Sequence, residues 1–260
     1  MLPLSDSLIR IGGFAISDCD FEHADRRIRA HLHSKSRLAV FFANTHFVVT
    51  CQPLRKKLTQ MASVVILNDG IGLSIARRLL QRGRFKENLN GTDFIPRLLR
   101  ESAKPLRIYL LGASKVSVEG AAEAFGKIAN VEVAGRCDGY VLWSREKDVI
   151  SDINAAKPDM LLVALGCPLQ EQWIVDHFDA LEVPVIFGVG ALFDFVSGQH
   201  KRAPALMREA GLEWLYRLWR EPRRLTYRYT VEILAFLRIV IASACESLPK
   251  AVPKLDRHVH

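Results

Sequence analysis

Asp69 is the residue of this chain best placed to move a proton. It lies in Asn68-Asp69-Gly70-Ile71-Gly72, between the apolar run ending at Leu67 and a helical pattern. Open α/β sheets bind ligands at that edge of a strand. A partly desolvated carboxylate there can act as general base toward a hydroxyl nucleophile. It can equally cap the following helix, the commoner use of Asp in this setting. Asn90-Gly91-Thr92-Asp93 is another helix start, with Thr92 or Asp93 capping and Gly91 permitting close approach of a ligand. Leu111-Gly112-Ala113-Ser114 forms a strand-to-helix turn able to cradle a phosphate, although a single glycine is a weak signal. In Leu165-Gly166-Cys167-Pro168-Leu169-Gln170-Glu171, Pro168 can begin a helix whose first turn exposes Gln170 and Glu171 toward the same crevice. The Gln170 amide would then offer a donor and an acceptor to sugar hydroxyls. The plainer reading is an ordinary helix start with a well-placed Glu.

Other patterns carry less. Asp18-Cys19-Asp20 has the D-x-D form that many sugar transferases use for a divalent metal, but it precedes a helical pattern where acidic residues serve as caps. His31 and His33, two apart on a helix, point in different directions and make poor joint ligands. Gly188-Val189-Gly190 lacks the third glycine and the acidic residue of a dinucleotide fingerprint, which disfavours a nicotinamide cofactor. Cys19, Cys51, Cys137, Cys167 and Cys245 are odd in number and far apart, without metal-ligand spacing, as suits reduced thiols. The expectation is a site that needs neither metal nor cofactor.

The elements that must position these residues alternate from Ser36 to Gly190. Strands are expected at Arg37 to Asn44, Val64 to Asn68, Arg107 to Gly112, Val131 to Arg136, Met160 to Leu165 and Val185 to Gly188. Helices are expected at Glu22 to His33, Thr45 to Thr59, Gly70 to Leu80, Asp93 to Glu101, Lys115 to Ala129, Arg145 to Ala155 and Leu169 to Phe178. Such alternation predicts an α/β fold, a mostly parallel sheet with helices on both faces. Beyond Gly190 the strand signal stops and two or three helices follow, with Pro222 marking a break or a start. The division is a core over residues 1–197 and a helical appendage over 198–260.

At 260 residues, 49% of them hydrophobic, the chain can bury a substantial core. Its formal charge of +8 is concentrated: between Gly198 and Tyr229 stand eight Lys and Arg against three Glu, interleaved with Trp214, Tyr216, Trp219, Tyr227 and Tyr229. A basic, aromatic surface suits an anionic partner at a wet boundary, either a headgroup layer carrying pyrophosphate or a nucleic acid. The apolar run Val231 to Ala242, broken by Glu232 and Arg238, fits a helix in a membrane interface or one packed on a core or a second copy. No secretory signal is evident, and no apolar run reaches the length of a membrane span.

Taken together, these motifs resemble the WecG/TagA/CpsF family of bacterial glycosyltransferases over almost the full length. NDGIG is similar to the family's DG-x-G element, NGTD to its G-[ST]-D element, and IYLLGAS to its strand-to-glycine turn. KPDMLLVALGCPLQEQW resembles P-D-x-L-x-V-x-L-G-x-P-x-Q-E-x-W, and GVGALFDFVSGQHKRAPALMREAGLEWLYRLWREPRRL resembles the family's closing block. The resemblance implies a Rossmann-like core and a C-terminal appendage that reaches the cytoplasmic face of the inner membrane. It also implies inverting transfer from a UDP-sugar to a sugar on undecaprenyl pyrophosphate. Carried over, Asp69 is the catalytic base, and Asn44 and Gln170 lie beside the sugar. Asn68, Gly70, Asn90, Thr92, Asp93, Gly112 and Glu171 complete the substrate-binding set, and Arg202, Arg217, Arg223 and Arg224 meet the lipid pyrophosphate.

Two departures stand out. Phe42 occupies a position where many members have Thr, and Asn88 one where many have Arg. The FFANTHFVV and NLNGTDF variants look most like the exopolysaccharide branch that adds glucose, here in β-1,4 linkage, during xanthan-type assembly. The alternative donor sugar is N-acetylmannosamine or its uronic acid, with lipid-linked N-acetylglucosamine as acceptor. Two rivals from other classes are a nucleic-acid-binding module and a non-catalytic membrane scaffold. The α/β core argues against the first, so no nucleic acid is expected as a partner. Assembly into a homo-oligomer is left open.

Overall fold

Two short alternating runs meet at Gly12-Gly13, where the chain folds into an antiparallel hairpin of β1 (Ser7–Ile11) and β2 (Phe14–Asp18). Both glycines have positive φ, 59° and 84°, as a two-residue turn of the primed type requires. The computed structural model describes residues 7–61, 63–81, 83–204, 206–207, 212–220 and 222–246. The hairpin adds two strands to the six expected ones, β3 (Leu38–Ala43), β4 (Val64–Asn68), β5 (Leu106–Gly112), β6 (Val131–Cys137), β7 (Met160–Ala164) and β8 (Val185–Gly188). Together they form one sheet in the order β1-β2-β4-β3-β8-β7-β5-β6, parallel except for the hairpin.

Alternate strand residues feed two cores, one on each face. Phe41, Leu111, Leu161 and Ile186 point to the first, which is covered by α2 (Thr45–Thr50), α3 (Arg55–Gln60), α4 (Ile71–Gln81), α8 (Glu146–Ala156) and α9 (Leu169–His177). Val40, Leu110, Leu162 and Phe187 point to the second, covered by α1 (Phe21–Ser34), α5 (Gly91–Arg100), α6 (Lys115–Gly126) and α10 (Leu192–Val196). A short helix, α7 (Gly139–Leu142), follows β6. The single helix expected over Thr45 to Thr59 is instead α2, a 3₁₀ turn at Gln52–Leu54, and α3. Pro53 accounts for the break: it lacks the N–H that a continuous helix would use.

Beyond α10 come α11 (Glu213–Arg220) and α12 (Pro222–Glu246), with Pro222 at the first helical position. One face of α12 packs on the core, as the second reading of the apolar run expected, and the other face is open. Leu225, Phe236 and Val240 are buried, the latter two within the first core beside α2. Glu232 is on this inner side too, 2.7 Å from His46 Nδ1 of α2. On the opposite side Tyr227, Val231, Leu234, Arg238 and Ile241 are exposed, at the spacing of a single helical stripe. Among the described residues no helix is long and apolar enough to cross a membrane.

Candidate functional site

The sheet topology brings five strand exits side by side at the carboxyl edge, in the order β4, β3, β8, β7, β5. The exits of β3 and β7 turn into α2 and α9 on the first face, whereas β8 between them turns into α10 on the second. Neighbouring connections that leave in opposite directions open a crevice at the strand ends, the usual ligand position in such sheets. At about 4.8 Å per strand, the edge from β4 to β5 spans about 19 Å.

Asn68 and Asp69 are at one end of this row. Asn68 pairs with Ala43 across β3 and β4, and the Asp69 N–H donates to the Ala43 carbonyl at 2.7 Å. That bond sets Asp69 beside Asn44, whose Oδ1 accepts from the Phe47 N–H at 3.1 Å and caps α2. Asn44 therefore has a structural task in addition to any contact with a sugar. The Gly70 N–H donates to Asn88 Oδ1 at 2.7 Å, so in this state it does not serve as an anion donor. Asn88 thereby fastens the turn that holds Asp69. Phe42 is buried under the start of α5, its ring 5.7 Å from that of Phe94 and 6.5 Å from that of Phe187. It contributes packing where a Thr would offer a hydroxyl.

The start of α5 closes over β3 and β4, with the Leu89 N–H on the Asn68 carbonyl at 3.0 Å. Asn90 is its cap: Oδ1 accepts from the Asp93 N–H at 3.0 Å and from the Thr92 hydroxyl at 2.8 Å. Arg202 grips Asp93 with both terminal nitrogens, Nη2 reaching Oδ2 at 3.0 Å. The hydrogen bond to Asp93 holds the guanidinium above the usual arginine range, and the charges of Asp93, Glu213 and Asp69 add to it. Arg202 thus joins α5 to the neighbourhood of Asp69. Arg202, expected to meet the lipid pyrophosphate, is already paired with Asp93 in this structure. Thr92, Asp93 and Arg202 also line a cavity of about 310 Å³ between α5, α6 and α10. A second cavity of about 210 Å³ beyond β5 and β6 is lined by Lys115, Arg136 and Asp138 among others. Asp69 lines neither; it belongs to the crevice at the strand ends.

Gln170 crosses from the β7 exit to the end of β8. Its Oε1 accepts from the Gly190 N–H at 2.9 Å, and its Nε2 donates to Glu171 Oε1 at 2.8 Å. Both ends of the amide that were expected to meet sugar hydroxyls are engaged within the protein. Glu171 is 1% exposed and faces Cys51 and Cys167 rather than open crevice, which corrects its place beside the substrate. Burial pushes its carboxyl up to about 7, against the opposing pull of the Gln170 amide, its own N–H and the Cys167 thiol. Gly112 ends β5, across the row from Asp69. Its φ is 114°, and a Cβ there would meet the Ala164 carbonyl oxygen at 2.5 Å. The close approach of β7 explains this glycine without a ligand.

Arg223 is exposed on α12, a position from which it can meet an anion. Arg217 and Arg224 lie on α11 and α12, and their side chains are outside the described residues. The D-x-D acids have structural partners. Asp18 takes an ion pair from Arg77 at 2.9 Å and the Lys86 N–H at 2.9 Å, and Asp20 caps α1 through the His23 N–H at 2.9 Å. His31 turns to the Ser36 hydroxyl at 2.8 Å. What residue spacing missed are the long-range partners: Arg202 on Asp93, Asn88 on Gly70, and Cys51 beside Cys167.

Asn68, expected against the substrate, is instead fully buried behind the crevice surface, and neither atom of its amide has a hydrogen-bond partner among the described residues. A buried unsatisfied donor or acceptor costs about 1–3 kcal/mol. An arrangement of that kind is retained where function needs it. Asn68→Leu is expected to raise the unfolding free energy by about 1 kcal/mol while slowing turnover. Urea melts alongside initial rates check both halves, and a less stable variant would refute the first.

A family model described as "Glycosyl transferase WecG/TagA/CpsF family" matches residues 9–249. Three curated relatives share the name N-acetylglucosaminyldiphosphoundecaprenol N-acetyl-beta-D-mannosaminyltransferase. The protein from Bacillus subtilis (strain 168) is 36% identical over 181 residues, covering 66% of this chain and 69% of its own. That from Bacillus spizizenii (strain ATCC 23059 / NRRL B-14472 / W23) is 34% identical over 200 residues, 75% and 76% of the two chains. That from Staphylococcus aureus (strain MW2) is 28% identical over 235 residues, 85% and 90%.

Proposed function

Because this chain belongs to the WecG/TagA/CpsF family of glycosyltransferases, we propose that it moves N-acetylmannosamine from a UDP-linked donor to N-acetylglucosamine carried on undecaprenyl pyrophosphate. The shared name of the relatives supports this donor and acceptor over the glucose expected from the FFANTHFVV and NLNGTDF variants. The observation that carries the catalytic part is the placing of Asp69 at the β4 exit, beside Asn44 and within electrostatic reach of Arg202.

In the proposed reaction Asp69 takes the proton of the acceptor hydroxyl as its oxygen bonds to the anomeric carbon. The bond from that carbon to the UDP oxygen breaks, and UDP leaves with the electron pair. A single displacement inverts the anomeric centre. Helix N-termini at the crevice and the arginines of the appendage take up the leaving-group charge, with no metal needed for that step. Asn44 offers an amide contact to the sugar, and Gln170 holds the floor of the crevice through Gly190. The outward faces of α11 and α12 rest on the cytoplasmic side of the inner membrane, where the lipid-linked acceptor resides.

A donor screen tests the substrate assignment. The protein is incubated with UDP-N-acetylmannosamine, UDP-N-acetylglucosamine or UDP-glucose and with lipid-pyrophosphate-linked N-acetylglucosamine or glucose, and products are read by mass. The first donor is expected to give product with lipid-linked N-acetylglucosamine. The second reading, glucosyl transfer, is favoured by Phe42 and Asn88, and product from UDP-glucose alone would establish it. Absence of product and of UDP binding with every pair would sink both.

A further inference from the structure

Cys51 at the end of α2 and Cys167 in the β7–α9 turn are 116 residues apart in sequence, yet their sulfurs are 3.5 Å apart. The Glu171 carboxylate joins them, and one ligand atom from each of the three residues lies within 4.8 Å of the others. Cys51 is fully buried and Glu171 is 1% exposed, while Cys167 is partly exposed and leaves the cluster an opening. Glu171 Oε2 is buried with no donor in hydrogen-bonding geometry among the described residues. An unsatisfied carboxylate oxygen next to two convergent thiols is a costly arrangement for an apolar core, and a cation would satisfy it.

We propose that Cys51, Cys167 and Glu171 form a structural divalent-cation site, with zinc the ion that suits two thiolates and a carboxylate. Zinc–sulfur bonds of about 2.3 Å in a tetrahedral arrangement put two sulfurs a little under 4 Å apart, close to the spacing already present. The Thr50 hydroxyl, 3.2 Å from Cys167 Sγ, or a water completes four-coordination. On binding, each thiol gives up its proton to solvent and its sulfur bonds the ion, so the two thiolates and the carboxylate leave one net negative charge. Glu171 is in the first turn of α9, where the helix N-terminus favours that charge. The ion ties α2, which begins after Asn44, to α9, which carries Gln170. Its role is therefore to hold two walls of the crevice, not to touch the sugar.

Two measurements on the full chain decide this. Protein from zinc-replete cells, passed over a chelating resin, is expected to retain about one zinc per chain. Cys51→Ser, Cys167→Ser and Glu171→Gln should each lose most of it, whereas Cys137→Ser should keep it. Independently of any variant, cobalt added to metal-stripped wild type should produce an intense thiolate-to-cobalt absorption band that saturates at about one equivalent. Metal-free wild type without that band would overturn the proposal, as would a Cys51–Cys167 disulfide in peptides alkylated before reduction. None of these readouts depends on which sugar is transferred.

Discussion

Asp69→Asn is expected to lower kcat about a thousandfold, within the span that loss of a general base produces, while UDP affinity changes by less than about threefold. The amide keeps the size of the carboxylate and the backbone bond from residue 69 to the Ala43 carbonyl. What it removes is the group that accepts the acceptor's proton as the new glycosidic bond forms. The donor's diphosphate and uracil do not need that proton accepted, so their binding should survive. The rival role, a cap for α4, predicts something else: Asn is an equally good cap, so the variant should then keep its turnover. Single-turnover rates beside calorimetric UDP titration separate the cases. A parallel loss of turnover and UDP affinity would mean that Asp69 shapes the nucleotide site and leaves the proton to another group.

The parts of this molecule legible in its sequence are those set by local pattern. Continuous apolar runs marked β3, β4, β5, β7 and β8, because a strand buried on both faces has no polar alternation to confuse it. Their exits were legible as well, since Asn68-Asp69-Gly70 and Leu111-Gly112-Ala113 each combine a strand end with a turn. The β1–β2 hairpin was harder: β1 is mostly exposed, so its apolar content is too low to resemble the central strands. At the site, residue type indicated the right edge of the sheet but not the direction of each side chain. Gln170 and Glu171 are adjacent in the first turn of α9, and nothing in their spacing shows that one spans to Gly190 while the other turns to two cysteines. Arg202 presents the same difficulty. A cation in a basic segment suggests an external anion, and only the tertiary fold shows that Asp93, 109 positions earlier, already takes it.

The structure also changes what the appendage can be asked to show. Removing everything after Gly198 is the direct way to ask what the appendage does. In the folded chain such a cut also strips Phe236 and Val240 from the first core and uncovers α2, so lost activity would report lost packing as readily as a lost membrane contact. Substitution of the outward stripe avoids this. Leu234 is 64% exposed and Ile241 55% exposed, and neither belongs to the buried cluster that fixes α12 to α2. A double change, Leu234→Glu with Ile241→Glu, is expected to leave the melting temperature within a few degrees. It should also reduce partition onto anionic vesicles at least about tenfold, because each buried Leu or Ile side chain is worth about 1.5–3 kcal/mol and the added carboxylates are repelled by the lipid surface. Turnover of a short-chain, water-soluble acceptor should be retained while that of a vesicle-embedded acceptor falls with the partition. Equal activity of the double variant on both acceptors, with vesicle binding intact, would move the membrane contact off this face of α12. Phe236→Ala supplies the contrast: it should cost about 3 kcal/mol of stability and depress turnover of both acceptors alike, since the helix then loses its hold on the core.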